Sequence, residues 1–372
     1  MARVLLDRDA VEAAVLGGAV LGGGGGGALA LGRRNGLLAV ELGAPQLVDL
    51  DDLGPDAVLA TVSAVGSPAA TTAYALPVHY VRAVELLMKY GETSVHGLIT
   101  NECGALASVN GWLQAAALGL PVVDAPCNGR AHPTGLMGSM GLHQVAGYMS
   151  TQAAVGGDPT AGRYVEAFVR GNLARTAPLV LQASVQAGGM VAVARNPVSV
   201  EYARDHAAPG AIRQSIALGR AMLERQAVGP IAMIEAVCEV LHGDLAIRGV
   251  VADVRLETVG GLDVGAVRVE GGDDSRRQVA ELGFWNEYVS LDLLEADSDV
   301  VRRAATFPDL LATMDISSGL PLGSAEVRVG QEVAVVQVDR RHLILGAGMR
   351  DPALLHSIEE ATGREIVAGV GS

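Results

Sequence analysis

The hydrophobic rhythm of the chain changes at Gly243, and that change does most to restrict the fold. Before it, short apolar runs ending in glycine or proline alternate with segments whose apolar residues recur every three to four positions. After it, short runs in which apolar and polar residues alternate one by one take over. A period near 3.6 marks an amphipathic helix, and a period of two marks a half-buried strand. Strand, loop and helix in succession build a mostly parallel sheet with helices on its faces. The expected fold is therefore α/β, with an N-terminal mostly parallel α/β domain followed by a C-terminal β-rich domain. Half the residues are apolar but only 3% are aromatic, so the cores must be built from Ala, Val and Leu. Such cores suit parallel strands buried on both faces.

At 372 residues the chain exceeds the roughly 250–300 residues at which single cores stop growing. Residues 1–160 read as the α/β domain, 161–242 as a helical or α/β connection, and 243–372 as the β-rich domain with a terminal helix at 351–362. Asp7 caps a first helix that is expected to stop at Gly17-Gly18. Strands are expected at Val58 to Ser63, Val95 to Ile99 and Pro121 to Asp124, with a helix from Val78 to Tyr90. Ala161 to Thr176 has helical spacing, Pro197 marks a helix start, and helices follow at Pro209 to Gln226 and Pro230 to Leu241. Alternation on both sides of Gly260-Gly261 is a hairpin signal.

The formal charge of −14 and the lack of any Lys/Arg cluster argue against a nucleic-acid partner. Ala13 to Gly32 is uncharged, yet nine of its twenty residues are glycine, a density incompatible with a lipid-spanning helix. Acidic Asp7, Asp9 and Glu12 stand where a secretory signal needs a basic region. Three cysteines without framework spacing fit a reducing compartment. A cytoplasmic protein with no membrane partner is expected, acting on a small molecule and assembling as a homo-oligomer.

Chemistry concentrates in Asn101 to His143, which holds two of the three cysteines and two of the eight histidines. Cys127 lies just beyond a strand end with Arg130 and His132 nearby, a setting for a nucleophilic thiolate. The same thiol, with His132, Cys103 and His143, offers a soft N/S ligand set for zinc. Inert burial of Cys127 is the competing reading. Glu102 and Asp124 end strands and are candidates for general-base work. Arg130, after the Asn128-Gly129 turn, is suited to gripping a substrate carboxylate, and its alternative is an ion pair with Asp124. Six consecutive glycines, Gly22 to Gly27, let backbone approach a ligand, with Gly24 and Gly25 as contacts, but lack the lysine of a phosphate loop.

Several of these stretches resemble the S-methyl-thiohydantoin desulfurase family, a group associated with hydantoinase and oxoprolinase-like proteins. They are Leu21-Gly22-Gly23-Gly24-Gly25, Gly66-Ser67-Pro68, Glu102-Cys103-Gly104, Leu118 to Ala125, Gly129-Arg130-Ala131 and Phe284-Trp285-Asn286-Glu287. Pro126-Cys127-Asn128 replaces a common Asp-Gly-Met, His132 a common aromatic residue and Thr134 a common Glu. The resemblance implies an α/β plus β two-domain fold and hydantoin-like substrates. It points to a hydrolase that replaces sulfur by oxygen at C2 of a thiohydantoin or S-methyl-thiohydantoin, probing a carboxylated heterocycle through Asn128 and Arg130. A ring-opening hydantoin or lactam amidohydrolase, and a non-catalytic subunit of a hydantoinase-like complex, are the alternatives.

Overall fold

The computed structural model describes residues 3–67, 69–273, 276–295 and 301–367; Pro68 of the Gly66-Ser67-Pro68 turn lies outside them. Among the described residues the strands form two eight-stranded sheets. The first contains β1 (Val4–Leu5), β2 (Gln46–Val48), β3 (Val58–Gly66), β4 (Gly97–Thr100), β5 (Val122–Val123), β6 (Ser150–Gly156), β7 (Val165–Gly171) and β8 (Met190–Ser199). Its spatial order is β1-β2-β5-β4-β3-β8-β6-β7. Pairings from β2 through β5 and β4 to β3 are parallel, and the others are antiparallel. The sheet is thus mixed, with its parallel character confined to the strands that cross over through helices.

The second sheet is antiparallel. It contains β9 (Asp244–Val259), β10 (Leu262–Asp273), β11 (Arg276–Trp285), β12 (Glu287–Glu295), β13 (Val301–Thr306), β14 (Leu310–Asp315), β15 (Pro321–Leu322) and β16 (Glu332–Val338). Gly260 and Gly261, both with left-handed φ, make the two-residue turn between β9 and β10, as their spacing predicts.

The helices are α1 (Arg8–Leu21), α2 (Leu29–Leu42), α3 (Pro77–Gly91), α4 (Trp112–Leu118), α5 (Leu173–Gln186), α6 (Val200–His206), α7 (Ala211–Arg225), α8 (Pro230–Leu241) and α9 (Pro352–Thr362). No helix among the described residues is long and apolar enough to cross a membrane. Helices α1, α7 and α8 link the sheets. Ala13 and Val20 of α1, Ile216 of α7 and Val237 of α8 share one core with Val62 of β3 and with Leu310 and Val336 of the second sheet. Along β3, Ala60 and Val62 face that core while Leu59 faces another, so the strand is buried on both sides.

Three expectations change. The first helix does not stop at Gly17-Gly18 but runs to Leu21. A Cβ on Gly17 would lie 2.0 Å from the Ser215 carbonyl oxygen, and one on Gly219 would lie 1.9 Å from that of Ala13. The glycines let α1 and α7 cross backbone to backbone, which outweighs their poor helix propensity. Ala161 to Thr176 is not one helix: Val165–Gly171 pairs with β6 as an edge strand, and Asn172 caps α5 through the Ala174 N–H. Pro197 does not open a helix but sits inside β8, where the register shifts beside Asn196 at φ +51°. A proline suits such a bulge because its missing N–H leaves no ladder bond unmade. The Ser199 hydroxyl then caps α6.

Candidate active site

A cavity of about 790 Å³ opens where the two sheets meet. The carboxyl end of β4 delivers Asn101 and Glu102 to it, the loop after β5 delivers His132, and β8 delivers Arg195 beside its bulge. Trp285, Asn286 and Glu287 enter from the turn between β11 and β12, and Gly24 to Gly27 come from the α1–α2 loop. Strand ends and bulges are where an open sheet presents side chains that its own ladder does not use.

The glycine loop is a junction. The Gly23 carbonyl accepts from the Tyr288 N–H at 2.7 Å, that of Gly24 from Ser324 at 2.8 Å, and that of Gly26 from Leu106 and Ala107. Gly24 holds φ +92°, and a Cβ there would come within 2.8 Å of the Tyr288 ring. On Gly25 a Cβ would meet Glu287 Oε1 at 1.9 Å, so only glycine lets that carboxyl lie against the loop.

Glu102 is buried, with Oε2 3.2 Å from the His132 backbone N–H and 3.3 Å from His132 Nε2. Burial raises its pKa to about 7 against the opposing pull of the His132 N–H, Arg195, Asn101 and Arg130. His132 Nε2 also lies 3.4 Å from the Asn101 carbonyl oxygen. Two acceptors around Nε2 place the proton on that nitrogen. Burial, reinforced by the charge of Arg195, lowers the imidazole pKa to about 3, so it is neutral at physiological pH despite its acidic neighbour. Glu287 is raised well above the ordinary carboxyl range by burial and then by the charge of Glu102, and its Oε2 has no partner among the described residues. A buried carboxyl kept protonated next to one that titrates near neutrality is an acid and a base in one site.

Arg195 is the buried cation of the cavity, whose lining also includes the exposed Arg328. It is only 3% exposed, its Nε is unpartnered, and its guanidinium makes no hydrogen bond to any described residue. Burial lowers its pKa, opposed by Cys127 and Glu102. A buried charge without a partner is costly, and a ligand oxygen would relieve that cost.

The other expected residues are employed elsewhere. Arg130 is fully buried and does not line the cavity. Its guanidinium donates to the carbonyls of Ala131, Pro308, Asp309 and Tyr288 and lies 4.4 Å from the Phe307 ring centroid. It therefore ties the first domain to the second, neither gripping ligand nor pairing with Asp124. Asp124 accepts from the Ile212 N–H and from Arg213, anchoring the start of α7. Asn128 bridges the Arg130 carbonyl and the Gly346 N–H. Cys127 is fully buried, 3.4 Å from Thr61 Oγ1, and burial pushes its thiol up to about 11. That is the environment of an inert thiol rather than a nucleophile.

The proposed zinc ligands do not converge. Cys103 Sγ faces the Ala211 carbonyl, Cys127 faces Thr61, His132 faces Glu102, and His143 pairs with Asp351 at 2.6 Å. Among the described residues no group of three or more His, Cys, Asp or Glu side chains is arranged to hold a metal ion. The donor set read from the sequence thus does not fit zinc.

Comparison with known proteins matches residues 9–160 to the S-Me-THD-like N-terminal domain and residues 173–344 to the S-Me-THD-like C-terminal domain. The chain belongs to this S-methyl-thiohydantoin desulfurase family. The X-ray crystal structure of a protein from Chromobacterium violaceum is similar over 100% of this chain and 98% of that one, with 21% identity and a TM-score of 0.67. That likeness establishes the two-domain fold. No curated protein matches the chain.

In this S-Me-THD-like protein both family domains contribute to one cavity, which explains what the sequence left unassigned. Glu287 lies in the Phe284-Trp285-Asn286-Glu287 stretch, and its role rests on Asn286 adopting φ +56° between β11 and β12. Asn286 is locked there by exchanging hydrogen bonds with Asp263. Arg195 carried no motif. Its one signal was Arg195-Asn196-Pro197, a charge next to a bulge-prone pair in an otherwise apolar strand.

Proposed function

We propose that the protein hydrolyses the C2–sulfur bond of an S-methyl-thiohydantoin or thiohydantoin ring, leaving a hydantoin and releasing methanethiol or sulfide. What supports this reading is the meeting of Glu102, Glu287 and the unpartnered Arg195 in one cavity of a family named for that substrate. Ionised Glu102 takes one proton from water as the water oxygen bonds to C2. Protonated Glu287 donates its proton to the ring nitrogen that receives the C2=N electron pair, a bond present in the S-methyl ring and in the thiol tautomer through which the thiohydantoin reacts. The negative charge that develops there spreads to the adjacent ring carbonyl oxygen, toward which Arg195 is the natural donor. Collapse breaks the C2–S bond. Glu102 returns its proton to the departing thiolate, and Glu287 recovers its own from the C2 hydroxyl. Atoms balance as ring plus water giving hydantoin plus thiol. His132, neutral and donating from Nε2, orients the Glu102 carboxylate.

The test is incubation of purified protein with thiohydantoin-5-propionate, its S-methyl form and the plain hydantoin, following thiol release and ring opening separately. Thiol release with an intact ring is expected. Ring opening without thiol release would assign an amidohydrolase, and binding without turnover of any ring would assign an accessory subunit.

A further inference from the structure

The cavity is much longer than the ring it is proposed to hold. Arg195 pairs with Thr61 across β3 and β8, while Met190 pairs with Gly66 at the far end of the same ladder. Both Arg195 and Met190 line the cavity. Five residues of strand at ~3.3 Å each separate them by about 16 Å. A five-membered ring with its exocyclic oxygens spans only about 5 Å, a few covalent bonds. A volume of about 790 Å³ also lies toward the upper end of the ~300–1,000 Å³ that drug-sized ligands occupy.

The two ends differ in chemistry. Glu102 lies at the Arg195 end, because it follows β4, which pairs with β3 at Thr61 and Val62. The charged Glu326 and Arg328 of the lining come from the segment after β15, and the Ser67 hydroxyl at the other end is taken up by Asp263. The Met190 end is walled by Val65 of β3, by Pro178 and Leu181 of α5, and by Leu256 and Leu262 of the β9–β10 hairpin. That hairpin is fixed over the cavity by Asp263, whose carboxylate accepts from Ser67 Oγ at 2.7 Å and from the Ala69 N–H at 2.9 Å. The apolar wall is therefore a built extension of the site, held in place by a buried carboxylate that joins the domains.

We propose that the ring this protein acts on carries an extended apolar arm, aliphatic or aryl, that lies along the Val65–Met190 end while the ring sits between Glu102 and Arg195. This rests on the reading of the ring site given above and adds the class of substituent. The space left beyond the ring accommodates an arm of roughly seven carbons, taking C–C bonds near 1.5 Å.

Calorimetric titration with hydantoins bearing hydrogen, methyl, n-butyl or n-heptyl at C5 tests the arm, and thiol release from the unsubstituted S-methyl ring tests the reaction. Affinity is expected to rise about three- to fourfold per methylene, from ~0.8 kcal/mol per buried CH₂. In Leu181→Trp, which fills the channel, the series should flatten from n-butyl onward. Leu256→Trp repeats the test from β9 if Leu181→Trp does not fold. Affinity independent of arm length in the wild type, or no binding across the series, overturns the inference even if the parent ring is turned over. Length-dependent binding without thiol release sustains the arm and refutes the desulfurase reading.

Discussion

Replacing Glu102 by Gln removes the proposed base and, by the same stroke, a buried carboxyl whose ionisation the fold resists. In the wild type burial lifts the Glu102 pKa from its ordinary 4.5 to about 7. Below pH 4.5 the group is protonated in both folded and unfolded chains and contributes no pH dependence. Between 4.5 and 7 the unfolded chain loses the proton first, so stability falls as pH rises, and above 7 the loss is constant. At about 1.4 kcal/mol per pH unit, the gap amounts to roughly 3 kcal/mol. Glu102→Gln lacks this penalty while keeping an oxygen to accept the His132 N–H. Its stability relative to wild type should therefore climb by about 3 kcal/mol between pH 4.5 and 7.5 and then level off. Urea denaturation of both proteins at four pH values measures this, and the His132 contribution cancels because both carry it. Thiol release should fall by about 10²–10⁴, the usual contribution of a general base. A stability difference that does not change with pH would show that Glu102 titrates as an ordinary surface carboxyl, and the acid–base assignment would fail with it.

Arg195→Met keeps the bulk of the side chain and removes the donor. A ~10²-fold or greater loss in kcat is expected with the fold intact by circular dichroism, and a loss confined to KM would assign Arg195 to uniform binding. Cys127→Ser should keep turnover within about threefold and cost about 1–3 kcal/mol for a hydroxyl in an apolar site, read by thermal unfolding. Complete loss of turnover in folded Cys127→Ser would restore the thiol to the mechanism. Gly24→Ala forces a Cβ onto a left-handed residue facing the Tyr288 ring, so destabilisation of about 2 kcal/mol or more is expected by denaturation. Its absence would show that the loop can relax away from the second sheet. The His132 contribution to stability should fall as pH drops from 6.5 toward 3, because the folded state keeps His132 neutral while the unfolded state protonates it. Between pH 4.5 and 6.5 it opposes the Glu102 contribution, so it is read as the stability difference between wild type and His132→Asn. A His132→Asn variant that loses stability equally over that range would assign the effect to other groups.

Local chemistry was legible in the sequence. Asp7 accepts from the Ala10 N–H at the head of α1, Pro230 opens α8, and Gly260-Gly261 turns the hairpin, because caps, first-turn prolines and two-residue turns depend on neighbours a few positions away. The same holds for Glu102 and His132, which follow strands β4 and β5 and so reach a common end of the sheet. What sequence distance hid was decided by packing. Gly17 reads as a stop until α7, some two hundred residues later, is laid across it, and Gly18 until Gly104 and Ser108 pack against it. Arg130 and Arg195 are equally plausible cations in one dimension. Only the fold gives the first four backbone carbonyls and leaves the second facing a cavity. Glu287 joins Glu102 from another domain, and its raised pKa exists only because the assembled protein excludes water from both. Desolvation and charge pairing act through space, so which ionisable groups become chemical was settled by the tertiary structure.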